Sequence, residues 1–479
     1  MMGSNPDRVL LFRPPDPLQS SALLSHTRPM NLAYLAATLR TKGFEVAIID
    51  YETTPFNERH LQQVLHHIRP AVAGITCTTP TVKSAAQLAA AIKSYATDIT
   101  TVVGGSHASA LPEQTLREFP AFDYLVFGEG EATLLDLCIR LRDGGKDSTI
   151  DGLAFRENGV VTVTATRRLI EDLDSIPFPA RDLIDYATQS GHSSRGFSNK
   201  LLSTELFTSR GCPVGCSFCA IQATFGRSVR FRELSFIEDE VKRMVREHNF
   251  NHVVIADDTF TLLPDRAAAI CEIFERSGIN SWNCDTRVNT VTPELLKLMK
   301  RSGCTKVAFG VESGSQRMLD LMGKGITVDQ VRNAVTWAKN AGIKHIEGNF
   351  IIGSDPSETW QDLEETRKLI ATLPWTFISV AVVVPYPGTP LREKMLTDGF
   401  LEPVQDWNNY VMLGAPPAWR TEHFSSSDLI DLQRKLTRTF YLKPGYIFSC
   451  LSSIRTRSDA SYWMSAGVSY LKWYLTGKT

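Results

Sequence analysis

The sequence predicts an α/β protein: an N-terminal doubly wound parallel sheet, a partial (β/α)6 barrel and a mostly helical C-terminal region. Three observations predict this. Short apolar runs alternate with helical patterns through the first 142 residues. Three cysteines then fall within eight residues, at Cys212, Cys216 and Cys219. Around and after them strand–helix alternation resumes, with six units in all. At roughly 100–200 residues per domain, a chain of 479 residues allows two to four domains. We set them at residues 1–142, a linker with a hairpin at 143–200, the barrel at 201–394 and a substrate-side region at 395–479.

Composition narrows the function classes. Hydrophobic residues make up 43% and charged residues 22%, which argues against disorder, collagen and coiled coil. A net charge of −1 argues against a protein that depends on a broad basic surface, so no nucleic acid is expected. No run of about 18 apolar residues occurs, so no spanning helix is expected. The first residues carry Asp7, Arg8, Arg13 and Asp16 instead of the apolar stretch of a signal peptide, which predicts a cytoplasmic protein. Nine cysteines, an odd and mostly scattered set, do not make a disulfide framework.

In the first domain, strands are expected at 8–12, 45–50, 71–77, 100–104 and 124–127. Helices are expected at 31–42, 58–68, 82–95, 113–118 and 131–142. This repeat gives a parallel sheet covered on both faces, whose ligands bind at the carboxyl ends of its strands. Those ends hold Cys77, Thr78 and Thr79, then Gly104, Gly105, Ser106 and His107, then Gly128, Glu129, Gly130 and Glu131. Each alone reads as a tight turn; three on one edge favour a large ligand. Glycines admit a ligand close to the backbone, and hydroxyls supply hydrogen bonds.

This stretch resembles the cobalamin-binding domain in front of many radical S-adenosylmethionine enzymes. The resemblance is carried by Asn31-Leu32-Ala33-Tyr34-Leu35-Ala36, Gly74-Ile75-Thr76-Cys77, the run from Val103 to His107 and the run from Phe127 to Glu131. It implies cobalamin held by Thr78, Thr79, Gly104, Gly105, His107, Gly128, Glu129 and Gly130. An Asp-x-His-x-x-Gly motif does not follow the first strand, and His26 lacks that context, so cobalt is expected without a protein histidine ligand. For His107, a contact to the corrin and a structural hydrogen bond stand as equal readings.

The linker reads as a hairpin around Asn158-Gly159, an extended stretch through Pro177 and Pro179, and a mobile Ser/Gly-rich stretch at 189–199.

Closely spaced thiolates suit a metal rather than disulfides. A closed zinc site usually takes four ligands as two separated pairs, which a trio does not match. Three thiolates can hold three irons of a four-iron cubane and leave the fourth open. The spacing of three residues, then two, is the signature of radical S-adenosylmethionine enzymes, and Phe218 before the last cysteine also fits.

Barrel strands are expected at 205–208, 253–256, 282–287, 306–311, 345–352 and 378–384. Six units fall short of a closed barrel. Polar residues gather after them: Asp257 and Asp258, Asp285 and Arg287, Glu312 and Ser313, Gly353 and Ser354, Tyr386. The resemblance implies a [4Fe-4S] cluster on the three cysteines and S-adenosylmethionine bound by Phe218, Asp258, Arg287, Glu312 and Ser313. A rim ion pair is the structural alternative for each charged one. Glu347 and Tyr386 are substrate-side, catalytic candidates; Glu347 could instead pair with a nearby lysine or arginine. Arg227, Arg230 and Arg232 seat an interface or an anion, or form a solvated face, the commoner reading. Cys271, Cys284 and Cys304 are expected to pack in the core.

The resemblance implies a cobalamin-dependent methyltransferase that uses a 5′-deoxyadenosyl radical on an unactivated carbon of a small molecule: a natural product, lipid or tetrapyrrole. It also implies an external donor of the flavodoxin or ferredoxin type. The first alternative is radical dehydration, cyclisation or rearrangement without methyl transfer, with cobalamin redox-active or absent. Transfer-RNA methylthiotransferases carry a second upstream cysteine trio, whereas only Cys77 and Cys138 lie upstream here. A non-catalytic iron–sulfur sensor has no need of the strand-end polar residues. In the tail, Trp463, Tyr470, Trp473 and Tyr474 read as core or lid, or more weakly as a peripheral membrane contact flanked by Arg455, Arg457 and Lys472.

Overall fold

The computed structural model describes residues 4–16, 28–186, 202–402, 406–411, 417–452 and single positions at 454, 460, 464, 467 and 468. His26, the 189–199 stretch and the four tail aromatics with their three flanking basic residues lie outside the described residues.

The first sheet contains β1 (Asn5–Arg13), β2 (Glu45–Asp50), β3 (Pro70–Thr76), β4 (Thr100–Gly104) and β5 (Tyr124–Val126). All five are parallel, in the order β2-β1-β3-β4-β5. Helices cover both faces, so β1 can be apolar without alternation: Val9, Leu10, Leu11 and Phe12 are all buried. Chain order reverses between β1 and β3, the switch point where such sheets open a crevice.

Local signals set the helix limits. Asn57 caps the helix Glu58–Ile68 by accepting from Arg59 N at 2.9 Å, and Arg69 ends it at φ 53°.

The hairpin expected in the linker belongs to the sheet. Its strands β6 (Leu153–Glu157) and β7 (Val160–Val163) extend the edge, with β6 antiparallel to β5. Asn158 (φ 51°) and Gly159 (φ 81°) make its turn, so a short β5 edge is covered.

A second, six-stranded parallel sheet has the order β15-β14-β13-β12-β11-β8. Its members are β8 (Ser203–Leu206), β11 (His252–Ile255), β12 (Ser281–Thr286), β13 (Cys304–Glu312), β14 (His345–Ile352) and β15 (Phe377–Val382). β8 and β15 are the two ends of the sheet, which makes an open barrel. Between β8 and β11 lies a small ribbon of β9 (Ser209–Arg210) and β10 (Arg230–Phe231). Outside the sheet, Thr327 and Thr359 open the helices Val328–Asn340 and Trp360–Thr372 with capping boxes. The helix Ser426–Tyr441 packs on β15.

One continuous set of buried apolar side chains joins the two sheets, from Leu10, Phe12 and Val103 to Ile255, Trp282 and Ile352. A second set, including Val9, Leu11, Val72 and Val102, fills the other face of the first sheet. Cys271, Cys284 and Cys304 are fully buried, as expected of packing cysteines. No helix among the described residues is long and apolar enough to cross a membrane.

Candidate active site

The cysteine loop leaves the carboxyl end of β8 and is held at both ends. Buried Asp257, just after β11, accepts from Thr208 N at 2.7 Å, Ser209 N at 3.2 Å and Ser209 Oγ at 2.8 Å. Its neighbour Asp258 accepts from Gly211 N at 3.1 Å. Gly211 has φ 96°, and a Cβ there would lie 2.1 Å from Ser228 O, so only glycine fits. Further on, Ser217 N donates to Met322 O and Leu391 N to Ser217 O, both at 2.9 Å.

All nine cysteines are free thiols; Cys216 is buried, and Cys212 and Cys219 are half-buried. The Thr259 hydroxyl lies 4.0 Å from Cys212 Sγ. Burial pushes the Cys216 thiol up, opposed by the charges of Lys324 and Arg287. Burial likewise raises Cys219. A bare thiolate is disfavoured in such a place, and a metal partner removes that cost. Among the described residues no three His, Cys, Asp or Glu side chains converge as on a single ion. A cubane asks for no such convergence, because each thiolate takes a different iron. The donor set fits the cluster.

Beside Cys216 sits a charged group from the ends of β12 and β13 and from the turn after the helix Gln316–Leu321. Lys324 Nζ donates to Glu312 Oε1 at 2.6 Å, both side chains buried. Arg287 donates to Lys324 O from its Nη2, and its Nε bonds Asn289 at 3.2 Å. Glu312 itself holds φ 69°, a left-handed conformation that costs about 1–3 kcal/mol and persists at functional sites. Ser313 stands apart: its hydroxyl pairs with Thr366 Oγ1 at 3.1 Å and accepts from Ser315 N at 3.1 Å. Phe218 is half-buried against the core.

The carboxyl ends of the first sheet's strands and of β8 and β11 face one cavity of about 400 Å³. Thr78, Gly104, Gly105, Gly128, Glu129 and Gly130 line it from the first domain, together with β1 and β3 at the switch point. Phe207, Arg210, Phe225, Ala256 and Asp258 line it from the barrel. Gly105 has φ 109°, and a Cβ there would lie 2.3 Å from Cys77 O, so the loop packs onto β3 as only glycine allows. The result is an apolar floor with backbone exposed, a fit for a flat macrocycle. Asp258 opens onto the cavity, and desolvation by its walls and the nearby Asp257 charge raise the carboxyl to about 6.

Thr79 and His107 do not line this cavity. His107 is buried, its Nδ1 3.3 Å from Thr79 Oγ1, with its ring edge-on to Trp407 at 4.8 Å. Burial and Arg392 hold it down at about 4. Its hydrogen bond is structural.

Glu347 lies in the first half of β14, away from the cysteine end, and accepts from Lys306 Nζ at 3.1 Å with both side chains buried. It has the lysine partner that the sequence allowed as its structural alternative. Tyr386 is half-buried beyond the end of β15, its phenol raised to about 12 by burial. Asp285 is exposed.

The solvated-face reading of the arginine run is corrected for Arg230 and Arg232, which are both buried at the domain interface. Arg230 Nη1 donates to Glu129 at 2.7 Å, and Arg232 Nη1 to Leu173 O at 2.8 Å. Sequence reasoning also passed over Arg210, Lys324 and Trp407. The bracketing of Lys324 by Gly323 and Gly325 was the available signal; nothing local marked Trp407.

Comparison with known proteins agrees with this geometry. A family profile for the Radical SAM superfamily matches residues 206–370, and one for the B12 binding domain matches residues 22–138. A Pyrococcus horikoshii protein named as an uncharacterized methyltransferase is 34% identical over 439 residues, 91% of this chain and 93% of its own. The chain belongs to the cobalamin-binding radical SAM enzymes. An anaerobic magnesium-protoporphyrin IX monomethyl ester cyclase of Rubrivivax gelatinosus is 28% identical to this radical SAM enzyme, over 92% of this chain and 78% of its own. In fold, the enzyme matches the cobalamin-dependent S-adenosylmethionine radical enzyme OxsB (TM-score 0.75, 20% identity, 98% of this chain and 73% of that one). It also matches the methyltransferase TsrM of Kitasatospora setae (TM-score 0.69, 18% identity, 82% and 76%).

Proposed function

We propose that this enzyme methylates a carbon of a small molecule, using a [4Fe-4S] cluster, S-adenosylmethionine and cobalamin. The observation that carries the reading is the cavity shared by the carboxyl ends of the first sheet and of barrel strands β8 and β11. Residues of both domains would hold a corrin there. Cluster and S-adenosylmethionine together supply hydrogen-atom abstraction from carbon, and the corrin supplies a transferable methyl group.

The chain's own residues bind, orient and exclude water. Cys212, Cys216 and Cys219 hold iron. Arg287, Glu312 and Lys324, packed beside Cys216, suit the carboxylate and ammonium of S-adenosylmethionine, and Phe218 suits its adenine. Asp258 accepts hydrogen bonds at the barrel side of the cavity. Thr78 and the glycine-rich turns Gly104-Gly105 and Gly128-Glu129-Gly130 cradle the corrin. Tyr386, with its phenol protonated, is a donor at the rim. Ser313 and Glu347 act through the scaffold, as their hydrogen bonds suggest. An electron donor of the flavodoxin or ferredoxin type serves the cluster. Relatives named as methyltransferases support methyl transfer, including cytidylyl-2-hydroxyethylphosphonate methyltransferase of Streptomyces wedmorensis, 26% identical over 90% of each chain. The relative named as a cyclase supports cyclisation without methyl transfer as the second reading.

The test is anaerobic turnover with S-adenosylmethionine carrying a labelled methyl, against extracts of the source organism. Label in a new product is expected; 5′-deoxyadenosine without label transfer selects the second reading. Replacing all three cysteines of the trio by alanine removes the cluster absorption; if the absorption survives, the site is wrong.

A further inference from the structure

Arg210 is shared by the two cofactor loops. Its Nη1 donates to Glu129 Oε1 at 2.9 Å and its Nη2 to Glu131 Oε1 at 2.6 Å. Arg230 Nη1 donates to the second Glu129 oxygen at 2.7 Å, and Ile170 N donates to the same oxygen at 2.8 Å. All four charged side chains are at most 12% exposed.

The two arginines belong to the barrel, the two glutamates to the cobalamin domain. Arg210 and Arg230 are direct cross-strand partners in the β9–β10 ribbon. Like charges placed opposite one another repel, the more so away from water. Glu129 and Glu131 offset that repulsion, so the ribbon is at ease only with the other domain docked. The bridge also has a telling position. Glu129 and Glu131 flank Gly130, and all three line the cavity. Arg210 lines the same cavity and immediately precedes Gly211 and Cys212. A buried ionic group adds little net stability, and its best-attested use is to fix register.

We propose that Arg210 is a positioning residue: by gripping Glu129 and Glu131 it fixes the corrin cradle against the cluster loop. This rests on the cofactor reading above and adds the part that sets one cofactor against the other.

The test titrates full-length protein, with its cluster reconstituted anaerobically, with hydroxocobalamin followed by absorbance. Arg210→Gln and Glu131→Gln are expected to keep wild-type iron content and to bind hydroxocobalamin about tenfold more weakly. The double variant is expected to be no weaker than Arg210→Gln alone, because that change already removes the contact to Glu131. Arg210→Lys, which retains one contact, falls between. A bridge that serves stability alone lowers the melting temperature and leaves corrin affinity at the wild-type value; that result overturns the proposal. Should Arg210→Gln not fold, Glu131→Gln decides alone, since it keeps both contacts to Glu129. If wild-type protein does not bind hydroxocobalamin, the cofactor reading fails, and the proposal with it.

Discussion

Lys324 shows how a residue gains meaning from neighbours distant in sequence. It follows β13 by twelve positions, yet its ammonium returns to Glu312 and its carbonyl receives Arg287. Removing one partner of a buried pair leaves an uncompensated charge. Lys324→Met should therefore cost about 3–5 kcal/mol, read as a lower denaturant midpoint with unchanged slope. At Gly105 the limit is steric. Gly105→Ala must displace the Cys77 carbonyl, which would lie 2.3 Å from the new Cβ, and the variant should lose hydroxocobalamin binding while the barrel still takes up iron. The cysteine trio was legible because spacing alone encodes its ligand. Lys324 and Arg210 were not, because their partners come from other strands or the other domain. His107 and Thr79 carried the right residue types for a ligand site, but they turn toward each other and Trp407.

The elements were largely legible. Apolar runs and turn residues predict every strand of the two large sheets to within a few residues. The hairpin was visible as a hairpin but was assigned to the linker, because pairing to β5 has no local signature. The two-residue strands β9 and β10 are too short for any periodicity. The segment around Trp407 shows the same limit. It is a single helical turn that reaches back to the first domain: Trp407 Nε1 donates to both oxygens of Glu118, at 2.9 and 3.0 Å, and Asp406 pairs with Lys83 at 2.9 Å. Trp407 is 2% exposed, and the Arg392 guanidinium lies 5.6 Å from its ring. Trp407→Ala should cost about 3–5 kcal/mol and open this strap to limited proteolysis, leaving the cluster in place.

Across the whole molecule, buried and half-buried histidines set an acid limit. His107, His252 and His345 are each lowered from 6.5 to about 4, burial being the largest cause. Arg392 adds to it at His107, Lys306 and Arg28 at His252, and Lys344 and Lys306 at His345. The unfolded chain takes up these protons first, so their stabilisation is present above about 6.5 and is lost as pH falls toward 4. Each contributes roughly 1.4 kcal/mol per pH unit inside that window. Urea midpoints should fall steeply from pH 6.5 to 5, and His107→Gln should reduce the slope by about one proton. The division into a sheet domain and a barrel was readable from the alternation of strands and helices. That one core joins them was not, because it depends on contacts between distant segments.

The meeting of the first sheet's parallel strands with the carboxyl ends of β8 and β11 carries an electrostatic consequence. Helices that follow parallel strands start at those ends. Asn31, Ser106 and Gly130, each in the first turn of a helix, all line the cavity. Each longer helix presents about half a positive charge at its start. The cavity thus receives a positive field from backbone dipoles that neither titrate nor reorient, set against the carboxylates of Glu129 and Glu131 in its own wall.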